Sequence, residues 1–257
     1  MPGTRTLTVV TYNIHKGLSQ FNRRVVVHEI RERLRALAPD LVFLQEVQGL
    51  HLAHARRHRA WPEAGQHEFL TQEGGHSVYG VNAVYQEGHH GNAIVSRHPI
   101  PVWENIDVSH HRFEGRGLLH CEVRVEGWGR ALHCINVHLG LWERSRRFQV
   151  QWLCERIEEA VPGDAPLVVA GDFNDWQGRA SAVLERKLGL REAFETVEGR
   201  LARSYPARMP VLRLDRIYVR GLGVEAVQRF TGAPWERLSD HVALSARLAA
   251  PEGRGPG

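Results

Sequence analysis

Short apolar runs alternate with polar segments rich in turn-forming residues along nearly the whole chain. Runs of roughly four to eight apolar residues with such boundaries are typical of buried strands. They predict strands at 7–14, 41–47, 78–85, 92–96, 102–107, 118–125, 131–138, 166–171, 214–219, 224–230 and 242–248. The neighbouring segments "LLHCEVRV" and "RALHCINVH", joined by "EGWG", have the spacing of a hairpin.

Helical periodicity is confined to a few segments. Apolar side chains recur at helical spacing in residues 25–37, where "APD" ends the helix, and a shorter helix is predicted near 179–188. Residues 143–161 predict a long amphipathic helix, and Phe148, Trp152 and Ile157 are among its apolar positions. Many short strands with a few helices between them predict two packed sheets flanked by helices.

The domain organisation follows from length and from the lack of any dividing segment. A chain of 257 residues can bury a substantial core as one domain. We find no internal repeat and no linker rich enough to divide it. We therefore expect one domain over residues 1–250, followed by a disordered tail over 251–257 with the sequence "PEGRGPG".

The charge composition permits an anionic substrate without requiring one. The formal net charge of +4 is a mild basic bias, far from the Lys/Arg blocks of nucleic-acid tails. Lys16 and Lys187 are the only lysines, so nearly all positive charge is arginine. Arginine suits bidentate contact with phosphate or carboxylate, although a coding preference for arginine explains the composition equally well.

The cysteines and the N-terminus indicate the compartment. Cys121, Cys134 and Cys154 are odd in number and lack C-x-x-C spacing, which argues against a disulfide framework or a thiolate metal site. The first predicted strand begins almost at once, without a signal-peptide pattern, and no apolar run reaches the roughly 18 residues of a membrane span. We expect a soluble, cytoplasmic protein that acts as a monomer.

Polar side chains lie at or next to the ends of several predicted strands. In "VVAGDFNDW", residues 168–176, a buried strand leads directly into Asp172, Asn174 and Asp175. Other residues in such positions are Asn13, Glu46, Asn136, His138, Asp215, Asp240 and His241. Each one alone is more typical of a cap or turn, but together they suit a hydrolysis that binds a hard divalent cation and deprotonates water. Carboxylate and amide oxygens favour Mg²⁺ or Mn²⁺ over zinc.

Seven motifs in order along the chain carry a family resemblance: "TYNIHKG", "LQEV", "GNAIVSRHPI", "INVHLG", "AGDFND", "LDRIYV" and "LSDH". The sequence resembles the endonuclease/exonuclease/phosphatase superfamily, whose members are metal-dependent phosphoesterases with a four-layer, DNase I-like α/β sandwich. It is most similar to the bacterial YbhP-like branch, through "FNRRVV", "NAVYQEGHHGNA" and "VLRLDRIYV". The resemblance implies two packed, mainly antiparallel or mixed sheets flanked by helices.

The resemblance also implies how a metal ion and a water molecule are held. Asn13 and Glu46 match the family's principal metal ligands, and Asp240 matches a direct or water-mediated contributor. Asp172 matches the residue that orients or deprotonates the attacking water. Asn174 matches a residue that hydrogen-bonds a phosphate oxygen.

Further residues match groups on the phosphate side of the site. His241 matches the catalytic histidine, and Asp215 the carboxylate that fixes its tautomer and favours its imidazolium form. His138 matches a second histidine near the phosphate. Arg116 precedes a strand and could clamp a phosphate oxygen, with a solvated loop arginine as the alternative. Asn92 could reach the site from a strand start, although an Asn after Gly is also ordinary in turns.

Two other residue groups invite functional interpretations. A zinc site among His89, His90, His110 and His111 is disfavoured because no second-ligand spacing accompanies them. Several tryptophans could form exposed rings that stack on a base or enter a lipid surface, with core packing as the alternative. These are Trp61, Trp103, Trp142, Trp176 and Trp235.

The motifs favour one function and leave two alternatives. We expect a Mg²⁺- or Mn²⁺-dependent phosphodiesterase or phosphoesterase that acts on a phospholipid headgroup or a small phosphodiester, with a membrane surface as a partner. The alternative is a DNA endonuclease or abasic-site nuclease. It is less favoured because DNA-repair members carry "LQETK" where this chain has "LQEVQG". A non-catalytic binding protein should lack some of Glu46, Asp172, Asp215 and His241, and this chain has all four.

Overall fold

The computed structural model describes residues 6–20 and 24–250. Its helices are α1 (Val27–Leu37), α2 (Leu52–Arg57), α3 (Gln66–Leu70), α4 (Glu143–Ala160), α5 (Arg179–Leu188) and α6 (Ala193–Glu198). Its strands are β1 (Thr6–Asn13), β2 (Leu41–His51), β3 (His76–Tyr85), β4 (Gly88–Ser96), β5 (Val102–Asp107), β6 (Gly117–Val123), β7 (Leu132–His138), β8 (Leu167–Asp172), β9 (Arg191–Glu192), β10 (Asp215–Arg220), β11 (Gly223–Phe230) and β12 (Ala243–Ala249).

The strands form two six-stranded sheets. The first has the order β11-β12-β1-β2-β4-β3, and the second has the order β5-β6-β7-β8-β10-β9. Only the pairs β1–β2 and β7–β8 are parallel among the described strands, so both sheets are mixed and mainly antiparallel. The prediction of two packed sheets flanked by helices is confirmed, as is the hairpin formed by β6 and β7.

Alternation along the strands creates a core on each side of each sheet. In β1, Val9 faces the space between the sheets, whereas Val10 faces the outer layer that contains α1. Phe43 and Val168 meet in the core between the sheets. Leu153 of α4 packs with the outer face of the second sheet. Four layers result: α1, the first sheet, the second sheet, and α4 with α5.

The buried face of helix α4 differs from the face predicted from the sequence. Ile157 and Leu153, one turn apart, are fully buried against the second sheet. Phe148 and Trp152, assigned to the same face from the periodicity, are instead 36% and 41% exposed. Since Leu153 and Ile157 fix which side meets the sheet, Trp152 is rotated away from it. The prediction was therefore wrong for these two aromatic residues.

The remaining differences are local. The His-rich connection after residue 47 contains α2 and α3, which were not predicted, and neither α6 nor the two-residue β9 was foreseen. Strand β2 continues to His51. The three cysteines are buried free thiols. The predicted tail, 251–257, and residues 21–23 of the "FNRRVV" pattern lie outside the described residues. Within the described ranges, no helix is both long and apolar enough to cross a membrane.

Candidate active site

Both sheets contribute side chains to one edge of the sandwich. Asn13 ends β1 and Glu46 lies in β2, its parallel neighbour. In the second sheet, His138 and Asp172 end the parallel strands β7 and β8 and are paired in register. Asp215 begins the antiparallel strand β10 directly opposite Asp172. The topology therefore brings polar residues distant in sequence to one place, as expected for strand ends.

Asp172 lies at the centre of this cluster and is almost fully buried. Its Oδ2 atom accepts a hydrogen bond from Asn13 Nδ2 at 3.2 Å. The same oxygen is 3.5 Å from His138 Nε2 and 3.7 Å from His241 Nε2. Burial, reinforced by the charge of Asp215, raises the pKa of Asp172 to about 6, although His241 acts in the opposite direction. This carboxylate can exchange a proton near neutral pH.

The backbone around Asp172 has a special geometry. Gly171 has φ 144°, and a Cβ at this position would overlap the carbonyl oxygen of Val137 in β7. Only glycine fits such a close approach. Asn174 has φ 49°, and its N–H donates to Asp172 Oδ1 at 3.0 Å while Nδ2 donates to Leu139 O at 2.9 Å. The "GDFN" segment thus forms a tight turn that holds both polar side chains.

His241 and Asp215 form a buried pair. His241 Nδ1 donates to Asp215 Oδ2 at 2.9 Å, which leaves Nε2 directed toward Asp172. Burial disfavours a charged ring, but the carboxylates of Asp215 and Asp172 outweigh it and raise the pKa of His241 to about 10. His241 is therefore an imidazolium at neutral pH.

His138 has the opposite charge state. Burial, followed by the positive charges of Arg116 and His241, holds its pKa well below the usual value. The site consequently contains one cationic and one neutral imidazole on either side of the Asp172 carboxylate. A neutral ring can donate a hydrogen bond through one nitrogen without adding charge.

Oxygen atoms suited to a hard divalent cation lie next to Asn13 and His15. Asn13 Nδ2 is 3.4 Å from Glu46 Oε1, and Asp240 Oδ1 is 3.4 Å from His15 Nδ1. Burial opposes ionisation of Glu46, but the charges of Lys16 and His15 together lower its pKa. An ionised glutamate, an aspartate and an amide are the ligand types that Mg²⁺ and Mn²⁺ prefer. A ligand role for Asn13 requires its amide to turn, because Oδ1 now accepts from His15 N at 3.1 Å.

A second cation position is less well supported. Asp172, Asp215 and His241 each offer a ligand atom within 4.8 Å of the others. In the His241–Asp215 pair, however, Nδ1 and Oδ2 are already hydrogen-bonded to each other. That bond fits a catalytic pair better than two metal ligands.

His15 and Lys16 were missed as site residues. Both follow Asn13 in "TYNIHKG" and lie within 3.9 Å of Glu46 Oε2. His15, Lys16, Glu46 and Asn174 all have positive φ, and Ala38 is the only other non-glycine residue with positive φ in the described ranges. Such backbone strain is known to concentrate at functional sites. Adjacency to a predicted ligand was the one signal available in the sequence.

Arg116 lies near the cluster, whereas Asn92 contacts the backbone next to Arg116. The carboxylates of Asp172, Glu46 and Glu114 attract the Arg116 guanidinium, whose buried Nε has no hydrogen-bond partner among the described residues. Asn92 is buried and donates through Nδ2 to Gly117 O at 3.2 Å. Arg116 therefore has donors free for an anion, whereas Asn92 uses part of its amide to hold the neighbouring backbone.

Two polar residues singled out in the sequence are structural. Asn136 bridges the sheets, because its Nδ2 donates to Leu44 O and to Ala93 O, both at 2.8 Å. Asp175 caps α5 by accepting from Ala180 N at 2.7 Å. The two polar residues that follow Asp172 thus have different roles. Asn174 faces the cluster, whereas Asp175 fixes the start of the following helix.

Ser239 and Tyr205 were also not predicted. Ser239 Oγ donates to Asn13 O at 2.6 Å and accepts from His241 N at 3.2 Å. Ser239 therefore ties the end of β1 to the segment that carries His241. The Tyr205 ring is 5.0 Å from the His241 ring, centroid to centroid, and forms one wall of the site. Neither residue stands at the end of a predicted strand.

These features define a DNase I-like α/β sandwich with a cluster of carboxylates, amides and histidines at one edge. The chain belongs to the endonuclease/exonuclease/phosphatase family, whose model matches residues 10–241. Members of this family are generally phosphoesterases and nucleases that depend on divalent metal ions.

Relatives by sequence and by structure agree with this assignment. The chain is 45% identical over 241 residues to "Uncharacterized protein YbhP" of Escherichia coli (strain K12), covering 93% of this chain and 95% of YbhP. An endonuclease/exonuclease/phosphatase from Beutenbergia cavernae DSM 12333 superimposes with TM-score 0.74 and 20% identity, covering 96% of this chain and 72% of that protein. D. rerio TDP2 complexed with single-strand DNA product gives TM-score 0.69 and 19% identity, covering 95% and 99%.

Proposed function

We propose that this protein is a divalent-metal-dependent phosphoesterase that hydrolyses phosphodiesters. The observation that carries the proposal is the surroundings of Asp172: its carboxylate has Asn13 and two histidines of opposite charge state as neighbours. Asn13 also approaches Glu46 Oε1, and His15 lies near the carboxylates of both Glu46 and Asp240. A positioned base, a cationic ring and hard oxygen ligands are what hydrolysis of a phosphodiester requires.

Glu46, Asp240 and Asn13 would hold Mg²⁺ or Mn²⁺. The bound ion supplies Lewis-acid charge to a phosphate oxygen. Glu46 contributes the fixed negative charge, since the neighbouring Lys16 and His15 keep it ionised. Ser239 holds the Asn13 backbone in place from the other side.

Asp172 would orient the attacking water and accept its proton. A base whose pKa lies near the working pH is the most effective, and about 6 is close to it. Asn174, which is fixed to Asp172 through its backbone N–H, would hydrogen-bond a phosphate oxygen. The tight turn at Gly171 keeps the base and the donor at a constant separation.

His241 would stabilise the extra negative charge that develops on the phosphate. Asp215 fixes its Nδ1–H and keeps the ring cationic, so that Nε2 presents a proton toward the reacting group. Neutral His138, together with Arg116 and Asn92, would donate to the remaining phosphate oxygens. The negative charge of the phosphate would therefore be stabilised from several sides at once.

The second candidate is a nuclease. It is supported by the likeness to D. rerio TDP2, which was solved with a single-strand DNA product, although this likeness concerns the fold alone. The "LQEVQG" segment in place of "LQETK" makes abasic-site cleavage the weaker expectation. A non-catalytic role is disfavoured because none of Glu46, Asp172, Asp215 and His241 is replaced.

A substrate panel tests the proposal. Purified protein is assayed with bis(p-nitrophenyl) phosphate, phospholipids, plasmid DNA and an abasic duplex, each with Mn²⁺, with Mg²⁺ and with EDTA. We expect metal-dependent release of p-nitrophenol and little incision of the abasic duplex. Hydrolysis that persists in EDTA, or the absence of any turnover with metal, contradicts the proposal. Efficient abasic incision at physiological salt reverses the order of the two candidates.

A further inference from the structure

Large apolar side chains are exposed on two loops that contact each other beside the candidate site. Phe113 is 81% exposed, and Leu141 and Trp142 are 62% and 73% exposed. Glu114 brings the loops together, since it accepts a hydrogen bond from His110 N at 2.8 Å and its other carboxylate oxygen packs against Gly140. We call these three side chains the apolar edge. Soluble proteins rarely expose contiguous apolar groups without a use for them.

Three exposed arginines flank the apolar edge, where Glu143 is already paired with Arg179. Arg144 and Arg147 are exposed on the first two turns of α4, and the Arg112 guanidinium lies 4.4 Å from the centre of the Phe113 ring. In the described part of the chain, no carboxylate oxygen lies within 4.0 Å of any of these three guanidinium groups. The charges are therefore available to an anionic partner rather than to the protein itself.

Both loops lead directly into the candidate site. The loop that bears Phe113 continues to Arg116, and the loop that bears Leu141 begins at His138. Asn174 donates to Leu139 O, two residues before Leu141. Whatever covers the apolar edge is consequently adjacent to the groups proposed to bind phosphate.

The chemistry of the edge favours a bilayer over a nucleic acid. Leucine has no ring on which a base can stack, yet Leu141 is one of the three exposed side chains of the apolar edge. Protruding Phe, Leu and Trp side chains flanked by arginine instead resemble the surfaces that enter the interface of an anionic membrane. The apolar side chains meet the acyl boundary while the guanidinium groups meet the headgroup phosphates.

We propose that the apolar edge, with Arg112, Arg144 and Arg147, docks this protein onto an anionic phospholipid surface. The inference deepens the proposed function and rests on it for its purpose, because docking would present a lipid phosphodiester to the site. Docking itself requires neither metal nor turnover and can be measured separately.

The experiment is cosedimentation of the full chain with vesicles in EDTA. Vesicles contain phosphatidylcholine alone or phosphatidylcholine mixed with phosphatidylglycerol. We expect binding to the anionic vesicles only, with weaker binding as salt is raised. Since each basic residue near such a surface contributes roughly fivefold, Arg144→Gln/Arg147→Gln should weaken binding by roughly 25-fold. Leu141→Ser/Trp142→Ser should weaken it by at least about tenfold.

Arg33→Gln/Arg35→Gln is the matched control. These two arginines are likewise exposed on a helix, but α1 covers the outer face of the other sheet. This variant changes net charge by the same amount and should bind vesicles like the unaltered protein. Melting temperatures of all variants report that each is folded.

Several results would overturn the inference. These are no sedimentation of the unaltered protein with anionic vesicles at low salt, equal losses in the edge and control variants, and tighter binding to a single-stranded oligonucleotide with the same dependence on the edge. Hydrolysis of bis(p-nitrophenyl) phosphate by the unaltered protein, measured without vesicles, tests the proposed function independently. Turnover without vesicle binding removes only the docking surface, and vesicle binding without turnover removes only the catalytic proposal.

Discussion

Replacing Asp215 by asparagine should move the alkaline limit of activity to lower pH. Asp215 Oδ2 is 2.9 Å from His241 Nδ1, and Asp172 Oδ2 is 3.7 Å from Nε2. These charges raise the pKa of His241 from 6.5 to about 10 against the cost of burial. A group whose pKa is raised in the fold stays protonated until the pH passes that value. Activity that needs the imidazolium is therefore lost as the pH rises through it.

The size of the shift follows from the charge that is removed. One carboxylate within hydrogen-bonding distance changes a pKa by about 1–3 units, equivalent to about 1.4–4 kcal/mol of preference for the imidazolium. In Asp215→Asn, Asp172 still supports the charge, so we expect the alkaline limb to fall by about 1–3 pH units and the maximal rate to decrease. At pH values below the alkaline limb, His241→Ala should lose about 10²-fold or more in activity.

The assay is the pH dependence of kcat/KM for bis(p-nitrophenyl) phosphate at saturating Mg²⁺, together with the melting temperature of each variant. Asp175→Asn is the matched control, since Asp175 is also a buried aspartate but bonds Ala180 N rather than His241. It should lower stability and leave the alkaline limb in place. A folded Asp215→Asn protein whose alkaline limb coincides with that of the unaltered protein would refute the assigned pair.

Three further predictions concern the metal site and stability. Glu46→Gln should weaken Mg²⁺ binding in calorimetry and strongly reduce hydrolysis, and an unchanged affinity would remove Glu46 from the ligands. Gly171→Ala should lower the free energy of unfolding, measured in urea, by about 3 kcal/mol or more, because a Cβ would overlap Val137 O. A decrease of less than about 1 kcal/mol would contradict this. Burial raises the pKa of Glu192 from 4.5 to about 7, so the unaltered protein should lose up to about 3 kcal/mol of stability as the pH rises through this range. The Glu192→Gln variant should not show this loss. If its stability depends on pH in the same way as that of the unaltered protein, Glu192 is not the group responsible.

Most strands were predictable because their residues are buried in uninterrupted runs. In "LVVAGD" every residue of β8 is buried, and such a run has few alternatives to an interior strand. The short helices α2 and α3 were not predictable. They contain few buried side chains, and histidine-rich sequence has no helical periodicity. Phe148 and Trp152 were misassigned because composition alone does not reveal which side of α4 meets the sheet.

The residues of the candidate site were predictable where a family motif coincides with the end of a predicted strand. Asn13, Glu46, Asp172 and His241 all follow this rule, and the structure brings them together. Ser239 and Tyr205 do not, since their proximity to His241 depends on loop paths that no local pattern encodes. Asn136 is the opposite case: it stands in the same kind of sequence position, but its side chain joins the two sheets.

The position of β12 bears on how the protein is made. This strand is the last of the described strands, yet it lies inside the first sheet, between β11 and β1. Asn13 and Ser239, whose side chain bonds the Asn13 backbone, are 226 residues apart. During translation, one edge of β1 therefore stays unpaired until β12 has been synthesised and has left the ribosome. The candidate site can take this geometry only after the segment with Ser239 and β12 has joined the sheet.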